Sequence, residues 1–150
     1  MKKISVLFST IFMLALVSFN QSAYAAADNN ASLAEMVEEM QDECPMEMAE
    51  GIDLTRVELQ STAVVMYFRT DSELIPLDPS MYSILKPILK SSMDETYKET
   101  TKEEEEFALF VSLMIKENKS FKLVFINDDD SNISNPLVID FTTKELKAWL

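Results

Sequence analysis

Two segments of this chain carry apolar side chains at consecutive positions, and they limit the folds that it can adopt. Ala63 to Arg69 and Phe121 to Ile126 each have the length and composition of a β-strand that is apolar on both faces. Because successive side chains of a strand point to opposite faces of the sheet, both faces need cover from water. The sequence therefore predicts either helices on both faces of the sheet or a partner chain that covers one face.

The other two predicted strands show ordinary alternation. From Ile52 to Leu59 the apolar positions change phase halfway, and a β-bulge near Thr55-Arg56 would keep them on one face. A polar turn from Asn127 to Pro136 separates the third strand from a fourth at Leu137 to Phe141. Short turns between neighbouring strands favour antiparallel pairing.

Capping signals predict the first and last helices. Ser32 with Glu35, and Thr142 with Glu145, have the spacing of a capping box at a helix start. The first helix should end before Pro45, because the residue ahead of a proline disfavours helical angles.

Two further helices are predicted in the middle of the chain. Asp78-Pro79 is a typical helix start, and Pro87 should kink or split the helix that follows. The buried stripe of this helix is predicted to hold Met81, Ile84, Leu85, Ile88 and Leu89. The next helix should begin at one of two capping pairs, Thr100 with Glu103 or Thr101 with Glu104.

These elements together predict an α+β domain over residues 31–150. Its sheet is four-stranded and mainly antiparallel, and the element order is α-β-β-α-α-β-β-α after a cleaved signal peptide.

The N-terminal residues have the three-part layout of a secretory signal peptide. Lys2 and Lys3 precede an uncharged run from Ile4 to Phe19, and Ala23 and Ala25 place small side chains where a signal peptidase reads them. The apolar run is shorter than the roughly 20 residues that span a bilayer. We therefore expect it to be cleaved, not retained as an anchor.

Cleavage would leave an acidic protein that is periplasmic or secreted in a bacterium, with a flexible leader at residues 26–30. Loss of residues 1–25 removes two lysines and no acid, so the net charge changes from −13 to −15. Such a charge disfavours nucleic acid and anionic lipid heads and attracts basic proteins and peptides. No membrane contact is expected after cleavage.

Residue types that catalysis commonly uses are missing. The chain has no histidine, which excludes Ser-His-Asp and Cys-His catalysis as well as histidine metal sites. Gly51 is the only glycine, which excludes Gly-rich phosphate loops. Cys44 is the only cysteine, so an intrachain disulfide is excluded, and its place among acids at a helix end disfavours a reactive thiolate. The sequence predicts no enzyme activity and no cofactor.

Five sulfur-containing side chains lie close together in the sequence, namely Met36, Met40, Cys44, Met46 and Met48. Thioether and thiolate ligands are soft and select Cu(I), which an exported protein can meet. Met36, Met40 and Cys44 would share a helical face if the helix reaches Cys44, and Met46 and Met48 follow at strand spacing. The alternative interpretation is that Met36 and Met40 fill the core from the apolar stripe of the first helix.

Two acidic segments are interpreted as solvent-exposed parts of the fold and not as binding or catalytic sites. Asp128, Asp130 and Asn132 resemble the start of an EF-hand calcium loop, but Ile133 stands where that loop needs glycine, so a polar turn is expected. Glu103 to Glu106 are placed at a helix start, where the helix dipole favours negative charge.

The stretch from Ala34 to Phe68 resembles small exported bacterial proteins of unassigned function, in which a helix ends in Cys-Pro and a hairpin follows. Here the motif is Cys44-Pro45. The resemblance covers about a quarter of the chain. It implies a small α+β envelope domain and implies no activity.

The combined pattern predicts an exported, non-enzymatic envelope protein that binds a protein or peptide partner, with a cationic partner favoured by charge. The alternative is a periplasmic Cu(I) binder that uses the Met/Cys cluster. An open sheet face would also offer a route to homo-oligomers, and an apolar patch on that face would favour a binding or oligomer surface.

Overall fold

A computed structural model describes residues 32–150, and the predicted signal peptide (1–25) and flexible leader (26–30) lie outside this range. Within it the predicted order of helices and strands is confirmed apart from one additional strand. The elements are α1 (Leu33–Glu43), β1 (Met46–Ala49), β2 (Ile52–Leu59), β3 (Ala63–Thr70), a 3₁₀ turn (Pro79–Met81), α2 (Tyr82–Glu103), α3 (Glu105–Lys116), β4 (Ser120–Asn127), β5 (Leu137–Phe141) and α4 (Thr143–Lys147).

The strands of this range form one mixed sheet in the order β1-β2-β3-β4-β5. The pairs β1–β2, β2–β3 and β4–β5 are antiparallel. β3 and β4 pair in parallel, from Ala63 opposite Ser120 to Thr70 opposite Asn127. The prediction of a mainly antiparallel α+β sheet is confirmed. The parallel pair at the centre joins an N-terminal set of three strands to a C-terminal hairpin.

The prediction of four strands is wrong, because Met46–Ala49 forms a fifth, at the edge of the sheet. Four residues are too few for alternation to be distinguished from a loop in the sequence. The turn into β2 contains Gly51 with a φ of +82°, a left-handed conformation that favours glycine. A Cβ at this position would lie 3.0 Å from Cδ1 of Leu74.

The predicted β-bulge in β2 is confirmed. Leu54 lies opposite Phe68 and Arg56 lies opposite Tyr67, so that Thr55 is the additional residue. Both Leu54 and Val57 are thereby directed into the core, where each is almost fully buried.

The core lies between the helices and one face of the sheet. A single apolar cluster contains the buried side chains of every helix in the described range together with one face of the strands. The buried inward strand residues are Met48, Ile52, Leu54, Val57, Val64, Phe68, Phe121, Leu123, Phe125, Leu137, Ile139 and Phe141. The helices of residues 32–150 cover one face of the sheet, and the apolar side chains of the other face form a second, smaller cluster.

The buried stripe predicted for α2 is only partly right. Leu85 and Leu89 are buried, whereas Ile84 is 44% and Ile88 is 38% exposed, and Met81 lies outside the helix, in the preceding 3₁₀ turn. The helix packs along a side extended by Met93 and Tyr97, and Ile84 and Ile88 lie away from it. No second layer in the described range covers them.

Pro87 does not split α2, because one helix of 22 residues runs from Tyr82 to Glu103 with the proline inside it. The proline ring is exposed, and the buried residues on the opposite side hold the two parts of the helix on one core. The expected split is therefore wrong, whereas a kink at Pro87 stays a prediction, since the proline removes one backbone hydrogen bond and crowds the preceding turn.

Both predicted capping boxes are confirmed, at Ser32 with Glu35 and at Thr142 with Glu145. The predicted caps at Thr100 and Thr101 are wrong. These threonines lie in the last turns of α2, where the hydroxyl of Thr101 donates to the carbonyl of Trp149 at 2.6 Å. Only Glu104 separates α2 from α3, and it caps α3 without a side-chain hydrogen bond.

Helix α1 ends at Glu43, before Pro45 as predicted. Among residues 32–150, no helix combines the length and the apolar character needed to cross a bilayer.

Candidate functional site

The face of the sheet that points away from the helices carries its own apolar centre. Ala63, Val65 and Val124 are buried there, and Tyr67, Ile126 and Val138 pack around them half-buried. This cluster contains no residue from a helix of the described range. We call this surface the open face, and it consists of the outward residues Glu47, Asp53, Arg56, Glu58, Ala63, Val65, Tyr67, Arg69, Lys122, Val124, Ile126, Val138 and Asp140.

Register explains why these side chains meet. In the parallel pair, Tyr67 lies opposite Val124, and in the antiparallel pair, Val124 lies opposite Val138. A row of apolar side chains therefore runs across β3, β4 and β5. Cross-strand pairs of an aromatic residue with β-branched residues stabilise a sheet whether or not a helix covers it.

Tyr67 is held by polar contacts at the edge of the apolar centre. The guanidinium carbon of Arg56 lies 4.0 Å from the centroid of the tyrosine ring. The tyrosine hydroxyl donates to Glu58 at 3.3 Å, and Arg56 forms an ion pair with the same glutamate at 3.0 Å. A cation stacked on the ring and a bound hydroxyl orient Tyr67 across the face.

Both arginines of the chain, Arg56 and Arg69, lie on the open face. Arg69 forms an ion pair with Asp130 at 3.3 Å and donates to the carbonyl of Asp128. Tyrosine and arginine are enriched at protein interfaces and in their hot spots. The open face thus has an apolar centre with a tyrosine anchor and a rim of charged groups.

Four charged side chains of the open face make no ion pair within the described part of the chain, namely Glu47, Asp53, Lys122 and Asp140. Asp140 lies directly opposite Lys122 across β4 and β5. Oδ1 of Asp140 is shielded from water and has no hydrogen-bond partner. Buried carboxylate oxygens normally accept a hydrogen bond, so this oxygen is an exception.

The five sulfur side chains proposed as Cu(I) ligands all lie in or against the helix-side core. Met36, Met40 and Met48 are buried in it, and Cys44 and Met46 pack against it half-buried. The Cys44 thiol donates to the carbonyl of Met40 at 3.3 Å. Copper binding by these residues stays a prediction, and the packing of the thioethers accounts for the methionines as core residues.

The thiol of Cys44 is expected to react slowly. Burial, and then the negative charge of Glu43, raise the pKa of this thiol above its ordinary value. At pH 7 the thiolate fraction is correspondingly low, so we expect alkylation by a thiol reagent to be slower than for free cysteine. The rate should rise with pH and reach that of free cysteine when the chain is unfolded in urea. Equal rates for the folded chain and free cysteine at pH 7 would contradict this expectation.

The polar turn after β4 uses its side chains for structure. Asp128 accepts from the backbone N–H of Ser72 at 3.1 Å, Asp130 pairs with Arg69, and Asn132 is buried. The interpretation of this segment as a polar turn agrees with these contacts. No group of three or more His, Cys, Asp or Glu side chains in residues 32–150 is arranged to hold a metal ion.

A surface pocket of about 320 Å³ adjoins this turn at the carboxyl ends of β3 and β4. Its lining includes Ser72, Asp78, Asn127, Asp129 and Ser131. The side chain and backbone of Ser131 hold the pKa of Asp129 below its ordinary value by hydrogen bonding. Hydrogen bonds among Asn127, Asp129 and Ser131 already occupy polar groups that a ligand in this pocket would otherwise contact. The pocket is therefore a weaker candidate for a binding site than the open face.

The run from Glu103 to Glu106 is divided between two helices. Glu103 ends α2, Glu104 caps α3, and Glu105 and Glu106 lie in the first turn of α3. Burial, and then the charge of Glu104, raise the pKa of Glu106. The predicted helix start is confirmed for the second half of the run only.

Sequence reasoning missed the residues of the open face as a group. Tyr67, Val124 and Val138 come from three strands, and a parallel pairing between β3 and β4 had to be known before they could be placed together. The concentration of both arginines near the apolar segment at Ala63 was a signal that the sequence did contain.

No family model and no curated protein matches this chain. Two solved structures resemble it. The first is EpsS, a pilotin from the Vibrio vulnificus type 2 secretion system, with a TM-score of 0.50 and 10% identity over 76% of this chain and 87% of that chain. The second is a Pseudomonas aeruginosa protein assigned as secreted, with a TM-score of 0.49 and 9% identity over 76% of this chain and 88% of that chain. At this identity the likeness concerns the fold.

Proposed function

We propose that this chain is an exported, non-enzymatic protein of the bacterial envelope that binds a protein partner through the open face. The observation that carries the proposal is the apolar centre around Tyr67, Val124 and Val138, which no helix of residues 32–150 covers. A half-buried tyrosine with two arginines on the same sheet face has the residue types that are enriched at protein interfaces.

Three further features support this proposal. The N-terminal sequence has the layout of an export signal, and the absence of histidine removes the commonest catalytic groups. The fold also occurs in a pilotin of a type 2 secretion system. A role as a binding protein that accompanies an envelope assembly is consistent with each of these features.

Photo-crosslinking in cells tests the proposal. A benzoylphenylalanine placed at Tyr67 in the exported chain should give a discrete adduct with one partner, since its side chain lies at the centre of the surface. The matched control is the same group at Ile88, an apolar residue that is 38% exposed on the helix side of the molecule. We expect an adduct from position 67 and none of the same mass from position 88.

Two results would count against the proposed surface. Adducts of the same mass from both positions would show that the partner does not prefer the open face. An adduct from position 88 alone would place the binding site on α2. In either case the chain could still bind a partner, but the open face would not be the place.

A further inference from the structure

An unpaired edge of the sheet lies beside an exposed apolar stripe of α2. We propose that a second copy of this chain binds here, so that the β5 strands of the two copies pair antiparallel and their α2 helices pack against each other. This surface is the edge of the sheet and not the open face, so the inference does not depend on the proposed function.

β5 offers a free strand edge. It is last in the strand order, and its residues from Leu137 to Phe141 pair in regular register with β4. No backbone hydrogen bond joins these residues to a loop of residues 32–150. Every second residue of such a strand directs its N–H and C=O outward, where they can pair with another strand. β1, at the opposite edge, is shorter and its register shifts between Glu47 and Ala49, which hinders pairing.

Helix α2 presents its apolar stripe on the side that borders this edge. The helix packs on β5, and α4 lies against its inner side, toward the middle of the sheet, where Lys90 forms an ion pair with Glu145 at 2.9 Å. Ile88 precedes Lys90 by two residues, which places it about 160° around the helix from that contact. Met81 and Ile84 precede Ile88 at helical spacing, and these three side chains are 36–44% exposed. The stripe therefore faces outward beyond β5.

Low acidity makes this side approachable for another acidic chain. With 26 acids and 13 basic residues, two copies repel each other over most of their surfaces. From Pro79 to Met93 there is no acid, which is the longest such stretch in residues 32–150, and Asp140 is the only acid of β5. A second copy is therefore repelled least at the side formed by β5 and the start of α2.

The strand and the helix are both compatible with a twofold axis. In a register centred on Ile139, Leu137 of one copy lies opposite Phe141 of the other, so apolar side chains meet on the helix side of both sheets. Val138 then lies opposite Asp140, and the two aspartates do not face each other. A second copy brings a helix to the α2 stripe as well as a strand to β5, whereas a peptide strand would bring no helix.

Sedimentation equilibrium of the chain that begins at residue 26 tests this inference. We expect a reversible dimer at protein concentrations of about 10–100 µM, since one short strand pair with a few apolar side chains is a small interface. A monomer throughout this range would overturn the inference.

Substitutions in the stripe separate a specific contact from general charge repulsion. Ile84→Glu and Ile88→Glu should each raise the dissociation constant of the dimer roughly tenfold or more, because each places a charge in the helix contact. The matched control is Leu74→Glu, at an apolar residue that is 53% exposed and lies against Gly51, before β2. It should change the constant less than about twofold, and all three variants should keep the circular dichroism of the unchanged chain. Equal losses in the stripe and control variants would overturn the inference.

Amide hydrogen exchange tests the strand contact separately. A peptide that covers Leu137 to Phe141 should exchange more slowly at a dimeric than at a monomeric concentration, and Ile88→Glu should remove this difference. Unchanged exchange in a dimer would overturn the pairing of β5.

Crosslinking in cells identifies the occupant. Benzoylphenylalanine at Ile88 should give an adduct of two identical chains, and an adduct with a different protein alone would overturn the inference. This product differs in mass from the partner adduct expected at Tyr67. Either proposal can therefore fail while the other stands.

Discussion

Replacement of Trp149 by alanine is expected to lower the free energy of unfolding by about 3–5 kcal/mol. This tryptophan is 1% exposed, and its ring lies 5.0 Å from that of Phe141 and 5.2 Å from that of Tyr97 between centroids. Its indole N–H donates to Asp94 at 2.7 Å. The side chain thus joins α4, α2 and the last strand, and its loss leaves a large cavity as well as an unpaired carboxylate.

Urea unfolding followed by circular dichroism measures this effect, since Trp149 is the only tryptophan and its fluorescence disappears with it. Trp149→Phe should lower the free energy of unfolding by less, because phenylalanine keeps most of the ring contacts. The loss that remains reflects the missing bond to Asp94. Leu150→Ala is the control, since Leu150 is 62% exposed, and it should change stability by less than about 0.5 kcal/mol. A loss below about 1 kcal/mol for Trp149→Ala would show that the cluster does not depend on this ring.

Replacement of Asn132 by alanine is expected to cost about 2–4 kcal/mol. Asn132 is 1% exposed, and its amide group donates to the hydroxyl of Tyr82 at 2.9 Å and to the carbonyl of Phe125 at 3.2 Å. Its oxygen accepts from the backbone N–H of Asn127 at 2.7 Å. Alanine supplies none of these bonds and leaves buried polar groups without partners.

The same urea titration tests Asn132, with Asn135→Ala as the control. Asn135 is exposed and contributes its backbone carbonyl, which accepts from Tyr82 at 2.8 Å and which alanine retains. Tyr82→Phe should lie between the two variants, since it removes one of the bonds of Asn132. If Asn132→Ala and Asn135→Ala were equally stable, the buried network would not hold the turn.

The sequence predicted those features of the fold whose cause lies within a single helix or strand. Ser32 with Glu35 forms its capping box from residues three positions apart, so nothing distant is needed to recognise it. The bulge at Thr55 was predicted because a strand that changes phase must gain one residue to keep its apolar side inward. In both cases the physical cause lies within one element.

Tertiary contacts decided the points that the sequence did not predict. Ile84 and Leu85 are equally apolar, and only the position of the core relative to α2 makes one exposed and the other buried. Thr101 has the residue type of an N-cap, but it donates to Trp149, a residue far along the chain. The candidate site depends on such contacts entirely, since Tyr67 and Val138 meet through strand pairing.

The parallel pairing of β3 with β4 ties the open face to the completion of folding. Residues that meet across this pair, such as Thr70 and Asn127, are 57 positions apart in the chain, whereas the hairpins on either side join near neighbours. Contacts between such distant residues carry a high loop-closure cost and favour late assembly. Val65 and Val124 become one surface only when the two halves of the sheet have joined. A partner that recognises this surface therefore distinguishes the finished protein from a chain that is still folding.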